Sequence, residues 1–150
     1  MAYGVQAESM TGYWIVFDFG GGTFDAALMK VDEGIMKVID TGGDNHLGGK
    51  DLDIALVDKV ILPKLQDEYC LDELLSDPVK GNRLRTLIKD QGAEKIKIEL
   101  SLATESDWVA YEPLGEDDEG ELIDPDISVT LEEFDEAVAP IFSKAISLTR

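Results

Sequence analysis

The chain is poor in cysteine and in positive charge. Its one cysteine, Cys70, excludes an internal disulfide, and nothing indicates an oxidising compartment. Thirteen Lys and Arg residues stand against thirty-two Asp and Glu residues, a formal charge of −19. Such a charge repels nucleic acid and anionic membranes at long range. We therefore expect no nucleic-acid and no membrane partner, and we interpret Cys70 as a half-buried structural thiol on a helix.

Long apolar runs and the common nucleotide-binding signatures are also missing. No stretch approaches about 18 consecutive apolar residues, and no basic region precedes an apolar segment near the start. Neither a P-loop ending in Gly-Lys-Thr or Gly-Lys-Ser nor a Gly-x-Gly-x-x-Gly run occurs. Since 150 residues with 44% hydrophobic content suffice for one ordinary domain, we expect a single cytoplasmic domain, with two parts at most.

What is present is a glycine run between two acids, directly after an apolar stretch. The segment is Asp18-Phe19-Gly20-Gly21-Gly22-Thr23-Phe24-Asp25. The glycines let consecutive amide N–H groups approach an anion, and Thr23 adds a hydroxyl donor. Asp18 and Asp25 would repel a bare phosphate, which implies a cation such as Mg²⁺ acting through water. The glycines alone favour a plain hairpin turn, but the flanking acids and Thr23 favour a metal and a nucleotide.

A second glycine-rich segment, residues 42–53, joins a strand to a helix. One interpretation is a backbone surface that packs on a ligand at a helix N-terminus, where the dipole favours anions. The other is a plain connector with Asp51 near the helix start, and the segment alone does not decide between them. His46, the only histidine, is interpreted as a loop-bracing hydrogen-bonding group, because no nucleophile accompanies it.

A third motif lies on a predicted helix. Glu94, Lys97 and Ser101 are spaced by three and then four residues and so share one helix face. A carboxylate, an ammonium and a hydroxyl in one row are able to hydrogen-bond a ribose and an adenine edge. The alternative is a surface ion pair between Glu94 and Lys97.

Hydrophobic periodicity and turn signals predict a mixed α/β order of elements. The elements are strands at 13–18, 23–31 and 35–41 in an antiparallel meander, a helix at 51–69 that Pro63 kinks or breaks, a helix from Ser76-Asp77-Pro78 to about 102, strands at 106–112 and 122–129, and a last helix opened by the capping box Thr130–Glu133. Gly81 and Gly92 are expected to weaken the second helix.

We interpret the acidic clusters at 116–121 and 132–136 as solvated faces. A helix tail at residues 1–4 and a helix running to Arg150 suggest an excised piece of a longer protein.

Together, the three motifs resemble the nucleotide-binding domain of the seventy-kilodalton heat-shock chaperones of the DnaK type, members of the actin-like ATPase superfamily. The resemblance covers essentially the whole chain. It implies an α/β fold of the actin-like (ribonuclease H-like) type: an antiparallel meander with packed helices, plus a helix-helix-hairpin outer subdomain. Residues 1–50 and 130–150 would form the inner subdomain of lobe II, and residues 51–129 the outer subdomain.

The resemblance also implies roles for particular residues. Those expected to contact the β- and γ-phosphates are Gly20, Gly21, Gly22 and Thr23. Asp18 and Asp25 would order the metal through water. Gly49 would line the sugar side, and the adenosine would be held by Glu94, Lys97 and Ser101. The implied cofactors are ATP or ADP with Mg²⁺, and K⁺ as a further cation; the implied partners are a nucleotide-exchange factor, a J-domain co-chaperone and unfolded polypeptide clients.

The chain departs from the family pattern at several points. Lys50 replaces the usual Glu, Phe19 replaces the usual Leu, and the segment 70–92 aligns loosely. The first phosphate loop, the catalytic lysine and the Glu-Pro-Thr element would lie before Met1, so no catalytic set is complete. We expect the fragment to fold, to bind ATP weakly and not to hydrolyse it, although the parent would be an ATP hydrolase. The alternatives are a non-catalytic interaction module with an actin-like fold, and another actin-like ATPase of the sugar-kinase or filament type.

Overall fold

The structure, a computed structural model, describes residues 11–150, so the helix tail expected at residues 1–4 lies outside the described residues. The chain divides into two units, here called the first and the second unit. The first contains the described residues up to Lys50 together with Ile141–Arg150, and the second contains Asp51–Pro140. The mixed α/β character with antiparallel strands is confirmed.

The first unit is built on a three-stranded meander. Its strands are β1 (Gly12–Phe19), β2 (Phe24–Asp32) and β3 (Ile35–Asp44), in the order β1-β2-β3 with both pairs antiparallel. The three predicted strands are therefore confirmed. Glu33 and Gly34 connect β2 to β3 with φ values of 49° and 77°. Two consecutive positive φ angles are typical of the tight turns whose twist matches paired strands.

One end of this sheet packs on a small apolar cluster, and Val31 is buried toward the other end of β2. Phe24, Ala26, Leu47 and Ala145 form a small buried cluster beneath it. Along β1, by contrast, each side chain from Tyr13 to Phe17 keeps 38% to 69% of its surface exposed. An unbroken apolar run is typical of strands covered on both faces, yet β1 is an edge strand among the described residues.

The second unit is mainly helical. Its helices are α1 (Gly49–Leu56, which begins in the first unit), α2 (Leu62–Glu68), α3 (Asp72–Ser76), α4 (Pro78–Ile88) and α5 (Glu94–Leu100), with π-helical turns at Val57–Ile61 and Lys89–Ala93. The predicted helix over 51–69 is confirmed, but Pro63 does not interrupt it. Instead, the N–H of Leu62 donates to the carbonyl of Val57 in the π-turn just before the proline. This wider turn lets the helix continue past a residue that lacks an N–H.

The start of α4 lies where the sequence predicts it. The Asp77 side chain accepts hydrogen bonds from the N–H groups of Val79 and Lys80, at 2.8 Å and 3.1 Å, and Pro78 occupies the first turn. These bonds lower the pKa of Asp77, with the N–H of Lys80 contributing most. The short helix α3 was not predicted.

Gly92 is required by packing rather than being a weak point of its helix. It lies in the second π-turn against Trp108, which is only 1% exposed. A Cβ atom at Gly92 would lie 2.5 Å from Cε2 of the indole ring. The glycine therefore lets the helix approach the largest side chain of the core. The most buried side chains of that core are Trp108, Leu56, Ile61, Leu65, Leu71, Ile88, Ile96, Ile123 and Val129.

A two-stranded sheet follows the helices. Its strands β4 (Glu105–Val109) and β5 (Asp126–Thr130) are antiparallel. Both are shorter than predicted: the structure ends β4 at Val109 rather than at 112, and β5 begins at Asp126 rather than at 122. Proline and glycine residues in the connection between them favour turns over extended pairing.

The acidic segment 116–121 is not simply a solvated face. Asp117 is 8% exposed, and its carboxylate accepts backbone N–H groups of Cys70, Glu119 and Glu121 at 3.0, 2.9 and 2.8 Å. Burial alone would raise the pKa of Asp117, but these N–H donors outweigh it and lower the pKa. Asp118 accepts from two N–H groups at the start of α3. The segment therefore anchors α3 to the loop between β4 and β5.

Cys70 differs from the expectation of a half-buried thiol on a helix. It is exposed and lies between α2 and α3. The neighbouring Glu119 carboxylate, followed by Asp117 and Asp118, raises the pKa of the thiol. A thiol of raised pKa forms little reactive thiolate near neutrality.

The last helix, α6 (Leu131–Ser147), begins at the predicted capping box. The Glu133 N–H donates to Oγ1 of Thr130 at 3.2 Å, and the Thr130 N–H donates to Oε2 of Glu133 at 2.8 Å. Glu133 also pairs with Lys64 at 2.7 Å, so the cluster 132–136 has a structural role as well. Within residues 11–150, no helix combines the length and the apolar composition needed to cross a membrane.

The contact between Gly92 and Trp108 gives a first test. Gly92→Ala improves helix propensity but forces a methyl group into the indole ring, and we expect a net loss of about 2 kcal/mol in the free energy of unfolding. Urea denaturation measures the change. Trp108→Leu removes the ring atoms involved, so adding Gly92→Ala to it should cost less than in the wild type. Equal costs in both backgrounds would contradict the packing explanation.

Candidate functional site

The glycine run forms the turn between β1 and β2. The Gly20 N–H donates to the carbonyl of Thr23 at 2.8 Å, and Phe19 lies opposite Phe24 in the strand register. The run is thus a hairpin turn, as its glycines alone indicate. A hairpin and a phosphate-binding loop are compatible descriptions, because what matters to an anion is where the amide N–H groups point.

The start of α1 holds this loop by its backbone. The N–H groups of Gly49 and Lys50 donate to the carbonyls of Gly20 and Gly21, each at 2.9 Å. A trans peptide points its N–H opposite to its C=O, so the N–H groups of Gly21 and Gly22 point away from α1. Gly21 is exposed. The loop therefore directs two successive amide N–H groups away from α1, those of the exposed Gly21 and the half-exposed Gly22, and successive amide donors suit an anion.

These two bonds also change the interpretation of the second glycine-rich segment. Two of the first N–H groups of α1 bind loop carbonyls, so they are not directed at a ligand. Gly48 instead packs on the loop: a Cβ atom there would lie 2.5 Å from the backbone nitrogen of Gly22. Similarly, a Cβ atom at Gly43 would lie 2.6 Å from the carbonyl oxygen of Phe24. The segment thus supports the first motif through close backbone contact.

Asp18 and Asp25 are direct partners in the register of β1 and β2. Directly opposite residues place their side chains on the same face of a sheet, so two exposed carboxylates lie side by side next to the loop. Like charges in that position repel, and a cation relieves the repulsion. Residues 11–150 contain no cluster of three or more His, Cys, Asp or Glu side chains able to hold a metal directly. A pair of carboxylates suits a hydrated Mg²⁺, because this ion usually keeps several of its waters and takes one or two carboxylates.

The loop containing His46 is braced by Asp44. The Asp44 carboxylate accepts the His46 N–H at 2.7 Å and pairs with Lys144 of α6. The Lys144 ammonium, and then the His46 N–H, hold the pKa of Asp44 below its usual value of 3.8. The imidazole, 92% exposed, has its Nδ1 3.9 Å from Asp44. His46 thus braces the loop chiefly through its backbone.

In the second unit, α5 carries Glu94 and Lys97, and Ser101 caps its end. The Lys97 ammonium forms an ion pair with Oδ1 of Asp53 on α1, at 2.6 Å, and not the pair with Glu94 that was the alternative interpretation of this row. The Ser101 hydroxyl donates to the carbonyl of Lys97 at 3.0 Å. Asp53 was not predicted as a site residue. Its position four residues after Gly49, on the same helix face, was the signal that could have indicated it.

The sequence-predicted residues thus fall into two groups. The first unit brings together Asp18, Asp25, Gly20, Gly21, Gly22, Thr23 and Gly49. The second unit contains Glu94, Lys97 and Ser101. The first group offers amide donors and paired carboxylates, which suit a phosphate and a cation. The second offers a carboxylate and an ammonium held by Asp53.

The mixed α/β fold with an antiparallel meander is compatible with the fold of the Hsp70 chaperone family. The family model described as Hsp70 protein matches residues 1–150, and the chain therefore belongs to the Hsp70 family.

Similar curated proteins carry the name "Chaperone protein DnaK". The protein from Thermotoga maritima is 38% identical over 120 residues, which cover 77% of this chain and 19% of that protein. The protein from Nitrosopumilus maritimus is 33% identical over 151 residues, which cover 96% of this chain and 21% of that protein. The chain spans about a fifth of the length of the curated relatives it matches.

The contact of Gly48 with the loop gives a second test. Gly48→Ala places a methyl group 2.5 Å from rigid backbone, so we expect a loss of about 2 kcal/mol in unfolding free energy and shifted amide resonances for Gly21 and Gly22. The neighbouring Gly49→Ala is the matched control, because its Cβ atom would come no closer than 3.6 Å to the loop. Equal effects of both substitutions in denaturation and NMR would contradict the proposed contact.

The ion pair of Asp44 gives a third test. Because the folded pKa of Asp44 is lowered, its stabilising contribution is present above 3.8 and is lost as the pH falls through the lower folded value. Asp44→Asn and Lys144→Met should each make unfolding free energy fall less steeply with acid below pH 3.8. Urea denaturation over a pH series measures the slope. A wild-type slope in Lys144→Met would show that Lys144 does not lower this pKa.

Proposed function

We propose that the chain is part of the ATP-binding and ATP-hydrolysing domain of a molecular chaperone, in which nucleotide state is coupled to polypeptide binding. The single observation that carries the proposal is the backbone contact between α1 and the loop. It directs the N–H groups of Gly21 and Gly22 away from α1, in a loop next to the opposed pair Asp18 and Asp25. Membership of the Hsp70 family supports the same conclusion.

The residues have distinct parts in this proposal. The β- and γ-phosphates of ATP or ADP bind the N–H groups of the loop and the hydroxyl of Thr23. Asp18 and Asp25 orient a hydrated Mg²⁺, which neutralises phosphate charge. Gly49, whose backbone N–H binds the loop, lines the sugar side. On α5, Glu94, Lys97 and Ser101 hold the adenosine.

In the proposed architecture, the two units correspond to the inner and outer subdomains of lobe II of an actin-like ATPase. The structure groups residues 130–140 with the second unit, whereas the sequence interpretation assigned 130–150 to the inner subdomain. The outer subdomain would bind a nucleotide-exchange factor. A J-domain co-chaperone and unfolded polypeptides would act on the longer protein, in the cytoplasm.

Hydrolysis requires more than these residues provide. Phosphoryl transfer depends on positioning and on charge stabilisation from several sides at once. The described residues offer one loop and one pair of carboxylates to the phosphates. We therefore propose that residues 1–150 alone bind Mg·ATP weakly and do not turn it over.

A non-catalytic interaction module is the second candidate. The observation that favours it is Lys50, an exposed residue at the start of α1 where the family usually has a carboxylate. A reversed charge beside the loop changes how the edge of a nucleotide cleft is neutralised. In this candidate the nucleotide is structural or lost, and where it is lost the chain does not bind Mg·ATP.

Nucleotide titration separates these proposals. We expect residues 1–150 to bind Mg·ATP weakly, with NMR shifts at Gly21 and Gly22, and Asp18→Asn to reduce the affinity about tenfold by removing a group that orders the metal. Asp32→Asn, at the other end of the same sheet, is the matched control and should bind like the wild type. Absence of binding by the wild type would favour the interaction module.

An ATP hydrolysis assay tests the proposal that residues 1–150 alone do not turn over Mg·ATP. Phosphate release from Mg·ATP should stay at the uncatalysed rate with residues 1–150. Mg²⁺-dependent turnover that Asp18→Asn abolishes would show that the chain holds a complete catalytic set.

A further inference from the structure

Asp53 lies on α1 and binds a residue of the proposed adenosine group. We infer that Asp53 is a positioning residue, which holds the Lys97 ammonium so that it donates to the 2′,3′-diol of a ribose. This inference rests on the proposed function, because it assumes that Lys97 binds the nucleoside. Recognition of the diol would then depend on Asp53 of α1 as well as on Glu94 and Lys97 of α5.

The ion pair between Asp53 and Lys97 is short and partly buried, so it restricts the position of the Lys97 ammonium. Lys97 Nζ lies 2.6 Å from Oδ1 of Asp53, and the two side chains are 25% and 14% exposed. Two further ion pairs between helical segments of the second unit, Lys64 with Glu133 and Arg85 with Asp58, have side chains that are each at least 31% exposed. Partial burial reduces screening by water and salt, so the pair restricts Lys97 more than a surface pair would.

The pair leaves Lys97 able to bind a ligand. An ammonium has three N–H donors, and a contact with one carboxylate oxygen uses one of them. A free lysine side chain samples many rotamers, and an acceptor that fixes it lowers the entropy lost when a ligand binds. Asp53 thus prepares the two remaining donors for another acceptor.

A vicinal diol complements the Lys97 ammonium and the Glu94 carboxylate together. Glu94 lies one helical turn before Lys97 and offers a carboxylate that accepts hydroxyl protons. Lys97 donates to hydroxyl oxygens, so the two side chains complement a group that both donates and accepts. The Ser101 hydroxyl donates to the Lys97 carbonyl and stabilises the turn that carries the lysine.

The test compares two nucleotides that differ only in the diol. Mg·ATP and Mg·2′,3′-dideoxy-ATP are titrated against residues 1–150 by NMR, and the ratio of their affinities is measured. We expect the wild type to prefer ATP about tenfold, as for one or two hydrogen bonds to charged groups, and Asp53→Asn to bring the ratio close to one. Affinity for inorganic tripolyphosphate should not change, because the phosphate loop is untouched. A general loss of structure would lower all three affinities and leave the ratio in place.

Asp58→Asn is the matched control. It makes the same substitution in the same unit and removes the pair with Arg85, whose Nε lies 2.8 Å from Oδ1 of Asp58. We expect it to keep the wild-type ratio. Asp53→Glu keeps the charge and should retain a preference for ATP, which guards against a folding defect in Asp53→Asn. Loss of the preference in Asp58→Asn, or its full retention in Asp53→Asn, overturns the inference.

Lys97→Met separates this inference from the proposed function. If it abolishes the preference for ATP and adding Asp53→Asn changes nothing further, Asp53 acts through Lys97. If Lys97→Met abolishes the preference but Asp53→Asn does not, Lys97 binds the nucleoside and the role of Asp53 is wrong. If the wild type shows no preference although Mg·ATP binds, the adenosine part of the proposed function fails, and the inference fails with it.

Discussion

The first unit depends on one backbone contact, the pair of hydrogen bonds from Gly49 and Lys50 to the carbonyls of Gly20 and Gly21. Helix N-termini have N–H groups without partners inside the helix, and glycine-rich turns have carbonyls without partners in a sheet. Here two N–H groups at the start of α1 donate to two carbonyls of the glycine-rich turn. The peptide planes of the loop are thereby fixed, and the opposite N–H groups have a defined direction. Gly48 matters for the same reason, since any side chain there would separate helix and loop.

The second unit is organised by a different constraint, the burial of Trp108. A large ring at the centre of a small helical core requires a close approach of the helix beside it, and Gly92 provides that approach within a π-turn. The indole Nε1 and the Oε1 of Gln91 are both buried without a hydrogen-bonding partner among the described residues. Buried polar atoms of this kind lower stability, so the packing of the ring must offset them.

Local signals in the sequence were enough to predict several parts of this fold. The three strands of the meander, the Asp77 cap and the capping box at Thr130 each depend on residues close together in the chain, so the pattern of a few neighbours specifies them. The π-turn before Pro63 and the fit of Gly92 to Trp108 depend on the balance of a whole helix or on distant contacts. Asp53 was missed for the same reason, because its partner Lys97 is 44 residues away.

The apolar run of β1 has a consequence for how copies of this chain behave together in solution. An edge strand with apolar side chains on both faces and no lysine or proline to block it favours pairing with another strand. The charge of −19 opposes such encounters, because every copy repels every other. Salt screens this repulsion over a Debye length of about 8 Å at physiological ionic strength, but it leaves apolar attraction in place. A rise in ionic strength therefore weakens the repulsion between copies without weakening the apolar attraction of β1.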